Sequence, residues 1–166
     1  MREHQTIGIM GASGLIGLQL TYLMLHHPNV SKVVPFSHRL AGKSLAQVYP
    51  AFKHIKALHF VAPEHTRLRE CDVLFLALPH GKSFPYVKEL MHSTARLIDL
   101  SSDFRLSDPN IYASVYRRAH PMAENIHRFY NCIPEINGNG ISLDSRFISL
   151  QGCTSTSVSL AWVCGL

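Results

Sequence analysis

Missing from the sequence is any apolar run approaching the roughly 20 residues that a membrane-crossing helix needs, which argues against a membrane protein. There is no C-x-x-C pair among the four cysteines, Cys71, Cys132, Cys153 and Cys164, so zinc binding and thioredoxin-type redox chemistry find no support. The N-terminus, Met1-Arg2-Glu3-His4-Gln5-Thr6, has neither the apolar core nor the small-residue cleavage site of a signal peptide. A cytoplasmic protein with free thiols is expected. The 11 histidines are dispersed and only His26-His27 are adjacent, so no metal site is expected. The basic residues behind the formal charge of +5 are equally scattered, with Arg117-Arg118 the one pair and no basic stripe interleaved with aromatics. That distribution makes a nucleic-acid surface a weak reading and favours a solvated basic exterior; a positive field for anionic substrates and a phosphorylated cofactor fits as well.

What is present is a chain of 166 residues, 46% hydrophobic and free of repeats and low-complexity linkers, enough for one well-packed domain. Strand and helix patterns alternate. Residues 6–10 read as a buried strand and 15–26 as a largely buried helix, carrying Leu15, Ile16, Leu18, Leu20, Leu23, Met24 and Leu25. Residues 30–36 form a second strand and 58–61 a weaker third. Residues 73–78 give the strongest strand pattern, ending at Pro79, and 83–91 read as helix with Phe84, Val87, Leu90 and Met91 on one side. Strands at 96–100 and 146–150 follow, then a helix over 154–162, while 107–125 should be irregular or short helix. This alternation predicts an α/β fold: a Rossmann-type, doubly wound, mainly parallel sheet with helices on both faces.

Gly11-Ala12-Ser13-Gly14-Leu15-Ile16-Gly17 follows the first strand and opens the first helix. In this G-x-x-G-x-x-G spacing Gly11 permits a tight turn, Gly14 lets a phosphate approach the backbone and Gly17 allows close helix–sheet packing. The helix N-terminus then offers N–H groups and positive dipole to a pyrophosphate, and Ser13 a hydroxyl. The alternative is an ordinary glycine-rich turn. After the second strand, where an NAD site would carry an acidic residue, the chain reads Phe36-Ser37-His38-Arg39. An arginine and a serine there suit a 2′-phosphate, hence NADP; the alternative is a surface arginine in a loop.

Cys153 lies between a strand and a helix, directly after Gly152. A thiol at a helix N-terminus has its thiolate stabilised by the dipole and the free N–H groups. Thr154, Ser155, Thr156 and Ser157 line the first turn with hydroxyls. Cys71 and Cys132 lack such a context and read as packing residues, and Cys164, near the end of the same helix, reads as core.

With these residues in hand the chain resembles the N-acetyl-γ-glutamyl-phosphate reductases. The matching segments are GASGLIG at 11–17, SHRLAGK at 37–43, CDVLFLALPHGKS at 71–83, LIDLSSDFRLSDPNIY at 97–112, YNCIPEIN at 130–137 and QGCTSTS at 151–157. The resemblance implies NADPH-dependent reduction of an acyl phosphate to a semialdehyde in arginine biosynthesis, through a thioester on Cys153. It places Gly11, Ser13, Gly14, Leu15, Ile16 and Gly17 at the cofactor phosphates, Ser37 and Arg39 at the 2′-phosphate, and Pro79, His80 and Gly81 beside the cofactor. It makes Ser101, Ser102 and Arg105 contacts to the substrate phosphate, with a loop clamp between Arg105 and Asp103 as the alternative. Glu135 falls on the active-site side, where a structural role is equally open.

Residues 150–156, Leu-Gln-Gly-Cys-Thr-Ser-Thr, replace the usual Asn-Pro before Gly-Cys and Tyr-Pro-Thr after it, and Asn131-Cys132 replaces the usual Gly-Leu. The first of these changes is similar to the sister enzymes acting on carrier-bound aminoadipyl or glutamyl phosphate in lysine biosynthesis, so both substrates stay open, as does a non-catalytic NADP-binding module. Family members continue into a second domain that supplies a histidine base and the subunit interface of a homo-oligomer. On that pattern residues 1–150 form the NADP-binding domain and 151–166 the start of a catalytic domain, with no turnover expected from this stretch alone. Apolar surface should then remain uncovered around Leu160, Trp162 and Val163.

Overall fold

The computed structural model describes residues 5–55, 57–142 and 144–165. Its contacts group the chain into two units, one running to Ala77 and including Ser93–Ala95, the other comprising Leu78–His92 and Arg96 onward. Among the described residues the strands within each unit pair in parallel. Among the described residues no helix is long and apolar enough to cross a membrane.

In the first unit β1 (Gln5–Met10) leads through the glycine turn into α1 (Leu15–Leu25) and back to β2 (Val30–Phe36). Two short helices, α2 (Leu45–Val48) and α3 (His65–Arg69), precede β3 (Val73–Leu76). β1 lies between β2 and β3, with Ile7 opposite both Val33 and Val73. Ile7, Ile9, Val33, Val34, Phe36, Leu74 and Leu76 are buried, which is why these β-branched and aliphatic runs form strands.

Two expectations are corrected here. α1 is not largely buried: only Gly17 and Thr21 are, while Leu15, Ile16, Tyr22 and Leu23 are exposed. The small residues at i and i+4 mark the face that approaches the sheet, and the apolar residues around them run past it. Residues 58–61 form no named strand. They contribute two isolated bridges, Phe36 with Val61 and Ser44 with His59, because Leu58, Phe60 and Val61 bond in turn to segments on either side of the loop after β2.

The second unit runs through α4 (Phe84–Leu90), β4 (Arg96–Asp99), α5 (Pro109–Tyr116), β5 (Tyr130–Cys132), α6 (Pro134–Asn137), β6 (Phe147–Leu150) and α7 (Cys153–Val163). β6 lies between β4 and β5. The segment expected to be irregular or short helix holds α5, a two-turn helix. Its start is built from Asp108, whose side chain accepts from Asn110 N–H at 2.7 Å, and Pro109 at the first helical position. β5 escapes a pattern reading because three residues give no measurable period.

An aromatic series fills the core of this unit: Phe104 stacks on Phe129 with centroids 3.9 Å apart, and Phe84 and Phe147 flank them at 5.4 and 5.3 Å. Arg128 and Arg146 lie over the Phe147 ring, and Arg146 reaches the Leu90 and Met91 carbonyls at the C-terminal end of α4, where the helix dipole favours a cation. α7 has no buried residue, and Trp162 is 86% exposed. Cys164, expected in the core, is exposed as well: it follows the last turn of a helix whose half-buried residues are Thr156, Ser159, Leu160 and Ala161.

Candidate functional site

In the first unit β1 hands its backbone to a turn that only glycine adopts freely: Gly11 has φ +73°. The Gly14 N–H donates to the Gly11 carbonyl at 2.9 Å, and the Ala12 N–H ties the turn to the Phe36 carbonyl at 3.2 Å. A Cβ on Gly17 would lie 2.7 Å from the Gly11 carbonyl carbon and 2.8 Å from Ala12 Cα, so the helix can enter this close to the turn only with glycine there. Gly14 caps α1 without any side-chain hydrogen bond, which leaves the N–H groups of the first turn to a ligand.

Beside this cradle the Ser37 hydroxyl donates to Ser13 Oγ at 3.2 Å. Ser37 Oγ in turn accepts from the Leu40 N–H at 3.3 Å, which shapes the loop carrying Arg39. Tyr49 donates its hydroxyl to the Ser13 carbonyl at 2.6 Å. Ser37 is buried, Arg39 is exposed, and Leu15 is 88% exposed at the helix start. A turn with an uncapped helix N-terminus and two adjoining hydroxyls suits a dinucleotide phosphate.

In the second unit the organiser is Asp103, fully buried, which sequence reading considered only as a partner for Arg105. Its carboxylate accepts from the Gly81 N–H at 2.6 Å and the Ser83 N–H at 3.0 Å, and lies 3.0 Å from His80 Nδ1. It thereby shapes the loop Pro79–Ser83 ahead of α4, where Gly81 takes φ +80°. His80 Nδ1 is also 2.6 Å from Ser102 Oγ, an arrangement that favours the proton on Nδ1. The other ring nitrogen faces the Tyr112 hydroxyl at 3.4 Å, and the ring stacks on Tyr116 at 4.4 Å.

Behind this loop Asp99 accepts from Ser83 Oγ at 3.0 Å and Ser101 Oγ at 2.9 Å. Burial raises its pKa to about 6, against the lowering effect of the serine hydrogen bonds and with a further push from the Asp103 charge. His120 is buried in the same unit, its Nε2 against the Asp103 carbonyl at 2.9 Å and its Nδ1 accepting from the Met122 N–H at 3.0 Å. Burial holds its pKa below the usual histidine value. With both nitrogens engaged, His120 serves as a structural residue.

The thiol stands as its sequence context implies. Gly152 caps α7 without a side-chain bond, and Cys153 is the first helical residue and exposed. Cys71 and Cys132 are buried, as expected; burial pushes the Cys71 thiol to about 12, and burial together with the Glu135 charge raises Cys132. Arg105 does not clamp Asp103. Its Nε donates to the Leu150 carbonyl and its Nη2 to the Leu100 carbonyl, each at 2.9 Å, bridging the carboxyl ends of β6 and β4. Its Nη1 would lie 2.8 Å from a Cβ built on Gly152, so the guanidinium rests against the residue before the thiol. Ser155 donates to the Gly152 carbonyl at 2.9 Å, and Glu135 is exposed on α6.

The structure thus brings Ser13 to Ser37, His80 to Ser102, and Arg105 to Gly152, the residue before Cys153. Tyr49, Asp99 and Tyr112 were missed, and the role of Asp103 in the loop before α4 was not foreseen. Only Asp103 carried a sequence signal, its place in the Ser101-Ser102-Asp103-Phe104-Arg105 run.

Residues 6–143 match the family described as "Semialdehyde dehydrogenase, NAD binding domain". The chain is 36% identical over 154 residues to an N-acetyl-gamma-glutamyl-phosphate reductase of Polynucleobacter asymbioticus, covering 93% of this chain and 44% of that protein. It is 38% identical to a protein of Thermomicrobium roseum named as a LysW-L-2-aminoadipate 6-phosphate reductase, covering 93% and 43%. The chain therefore spans less than half the length of these curated relatives. Among solved structures, aspartate semialdehyde dehydrogenase II of Vibrio cholerae superposes with a TM-score of 0.69 at 16% identity, covering 95% of this chain and 45% of that one. The aspartate semialdehyde dehydrogenase of Candida albicans with NADP gives 0.59 at 18% identity over 92% and 44%. These likenesses carry the fold.

Proposed function

The chain belongs to the semialdehyde dehydrogenase NAD-binding family, and from that premise we propose that it is the cofactor-binding and thiol-bearing part of an NADPH-dependent N-acetyl-γ-glutamyl-phosphate reductase. The observation that carries the reading is the start of α7: an exposed cysteine, capped by a glycine against which Arg105 rests. The glycine turn from Gly11 to Gly17, with Ser13, Leu15 and Ile16, would hold the dinucleotide phosphates. Ser37 and Arg39 would meet the 2′-phosphate, which favours NADPH over NADH. The assignment of Pro79, His80 and Gly81 to the same cofactor is part of the proposal and rests on the resemblance alone.

The chain's own chemistry follows from the thiol. Cys153 Sγ, attacking as thiolate from the start of α7, bonds to the acyl carbon as the carbon–oxygen bond to phosphate breaks, leaving a thioester. Arg105 and Ser102 would receive the departing phosphate, while the Ser101 hydroxyl, expected beside them, is buried and donates to Asp99. A bound nicotinamide dinucleotide supplies the hydride that reduces the thioester carbonyl. Cys153 then leaves the resulting thiohemiacetal as thiolate, and the semialdehyde is released. Glu135, exposed on α6, would serve substrate recognition.

The first test is acylation. On mixing with N-acetylglutamyl phosphate, intact-mass analysis should show one adduct per chain, localised to Cys153 and absent from Cys153→Ser. An adduct that persists in Cys153→Ser would refute the assignment. The Thermomicrobium roseum relative and the Leu150–Thr156 segment favour a second reading, a carrier-bound aminoadipyl phosphate, and the same experiment with both acyl phosphates separates the two. A homo-oligomer, a cytoplasmic location and the absence of nucleic-acid or membrane partners belong to the same proposal.

A further inference from the structure

Gln151 and Asn131 stand at two positions where this chain departs from the segments it otherwise resembles, and the structure joins them. Gln151 Nε2 donates to Asn131 Oδ1 at 2.7 Å. Asn131 Nδ2 in turn donates to the main-chain carbonyl of Arg105. Both ends of this amide chain are tied down. The Gln151 N–H bonds the Cys132 carbonyl at 3.2 Å, extending the β5–β6 ladder by one residue. The Asn131 carbonyl accepts from Asn137 Nδ2 at 2.9 Å, and Asn137 Oδ1 accepts from the Ile133 N–H at 2.9 Å. At the far end the Ser155 hydroxyl, in the first turn of α7, lies 3.5 Å from Gln151 Oε1.

Arg105 is consequently held through its backbone by Asn131 and through its guanidinium by the Leu100 and Leu150 carbonyls. Those carbonyls use Nε and Nη2. The remaining Nη1 rests against Gly152, the residue between Gln151 and Cys153. The separation between the guanidinium and the thiol is thus set from two sides: by the strand ends, and by an amide pair linking the Arg105 backbone to the residue two before Cys153. All these partners are neutral, so the link imposes geometry without adding charge.

We propose that Asn131 and Gln151 are positioning residues that hold the Arg105 guanidinium beside Cys153, so that an anionic group is guided to the thiol. This rests on the reading of Arg105 and Cys153 as the anion-binding and nucleophilic groups. The test compares alkylation of Cys153 by anionic iodoacetate and neutral iodoacetamide, read by peptide mass mapping. Cys164, exposed just past the C-terminal end of the same helix, is the internal reference. In the wild-type chain the iodoacetate-to-iodoacetamide ratio at Cys153, divided by that at Cys164, should exceed one by roughly threefold or more, the effect of a partly screened unit charge.

Arg105→Leu should abolish the preference. Gln151→Met and Asn131→Leu should each reduce it to a similar extent, and the double variant should lose no more than either single one, as expected for two groups acting through one bond. Circular dichroism establishes that each variant folds. Gln151→Met, which keeps the side-chain volume, decides alone if Asn131→Leu does not. An unchanged preference in Gln151→Met, with Arg105→Leu abolishing it, would overturn the positioning role and leave the anion site standing. No preference in the wild type, or one untouched by Arg105→Leu, would overturn the anion site and the inference with it.

Discussion

Asp99 should make the stability of the folded chain pH-dependent in an unusual direction. Its side chain is fully buried at the end of β4, held by Ser83 and Ser101 with the Asp103 charge nearby, and its pKa is raised from 3.8 to about 6. Between these values the folded chain holds a proton that the unfolded chain has released. Stability therefore falls as pH rises through this window and levels off above it. A difference of about two pH units, at 1.36 kcal/mol each, makes the charged form cost about 3 kcal/mol by neutral pH.

Asp99→Asn removes that titration and keeps the side-chain shape, at the constant loss of one hydroxyl partner. Urea unfolding of both proteins from about pH 4 to pH 8 gives the comparison. The stability of the variant relative to wild type should rise by about 3 kcal/mol across the window and be flat above it. His120 contributes the opposite slope: its folded pKa is lowered, so its stabilisation is present above the ordinary histidine range and lost as pH falls. It is common to both proteins and cancels in the difference. A difference independent of pH would show that burial does not hold the proton on Asp99, and that the Ser83–Asp99–Ser101 cluster is stable as an anion.

Gly17→Ala should destabilise the first unit by about 1–3 kcal/mol, because the added carbon meets backbone and cannot be accommodated by a rotamer change; chemical unfolding would measure it. Arg39→Ala should weaken NADPH binding by about 1.5–3 kcal/mol and leave NADH nearly unchanged, checked by fluorescence titration; equal affinities in wild type would remove the case for NADP. Near neutral pH iodoacetamide should label Cys153 fastest, then Cys164, with the buried Cys71 and Cys132 protected until unfolding. Gly152→Ala should push the Arg105 guanidinium off the Leu100 and Leu150 carbonyls, at a cost of about 1 kcal/mol per hydrogen bond weakened, and slow acylation of Cys153 at low acyl-phosphate concentration; chemical unfolding and intact-mass kinetics would measure the two.

The sequence by itself determined the parts that rest on short-range rules. Gly11, Gly14 and Gly17 announced a turn and a close helix approach because few residues tolerate a positive φ or the absence of a Cβ there. The run from Val73 to Leu76 announced a buried strand through uninterrupted aliphatic and aromatic character. Gly152-Cys153 before four hydroxyl residues announced an accessible thiol at a helix start. Asp108-Pro109 carried an equally local start signal for α5 that the polar composition around it obscured.

The tertiary structure decided whatever depends on which face of an element meets another. It exposed Leu15 and Leu23 and buried Thr21, because apolarity all round a helix does not say which side lies against the sheet. It left Cys164 exposed for the same reason. It sent Asp103 to His80 and the N–H groups before α4, and Arg105 to the carbonyls of Leu100 and Leu150. Each of these bonds joins the ends of chain segments tens of residues apart or fixes a side chain's direction between near neighbours, and neither distance nor direction is written in the order of residues.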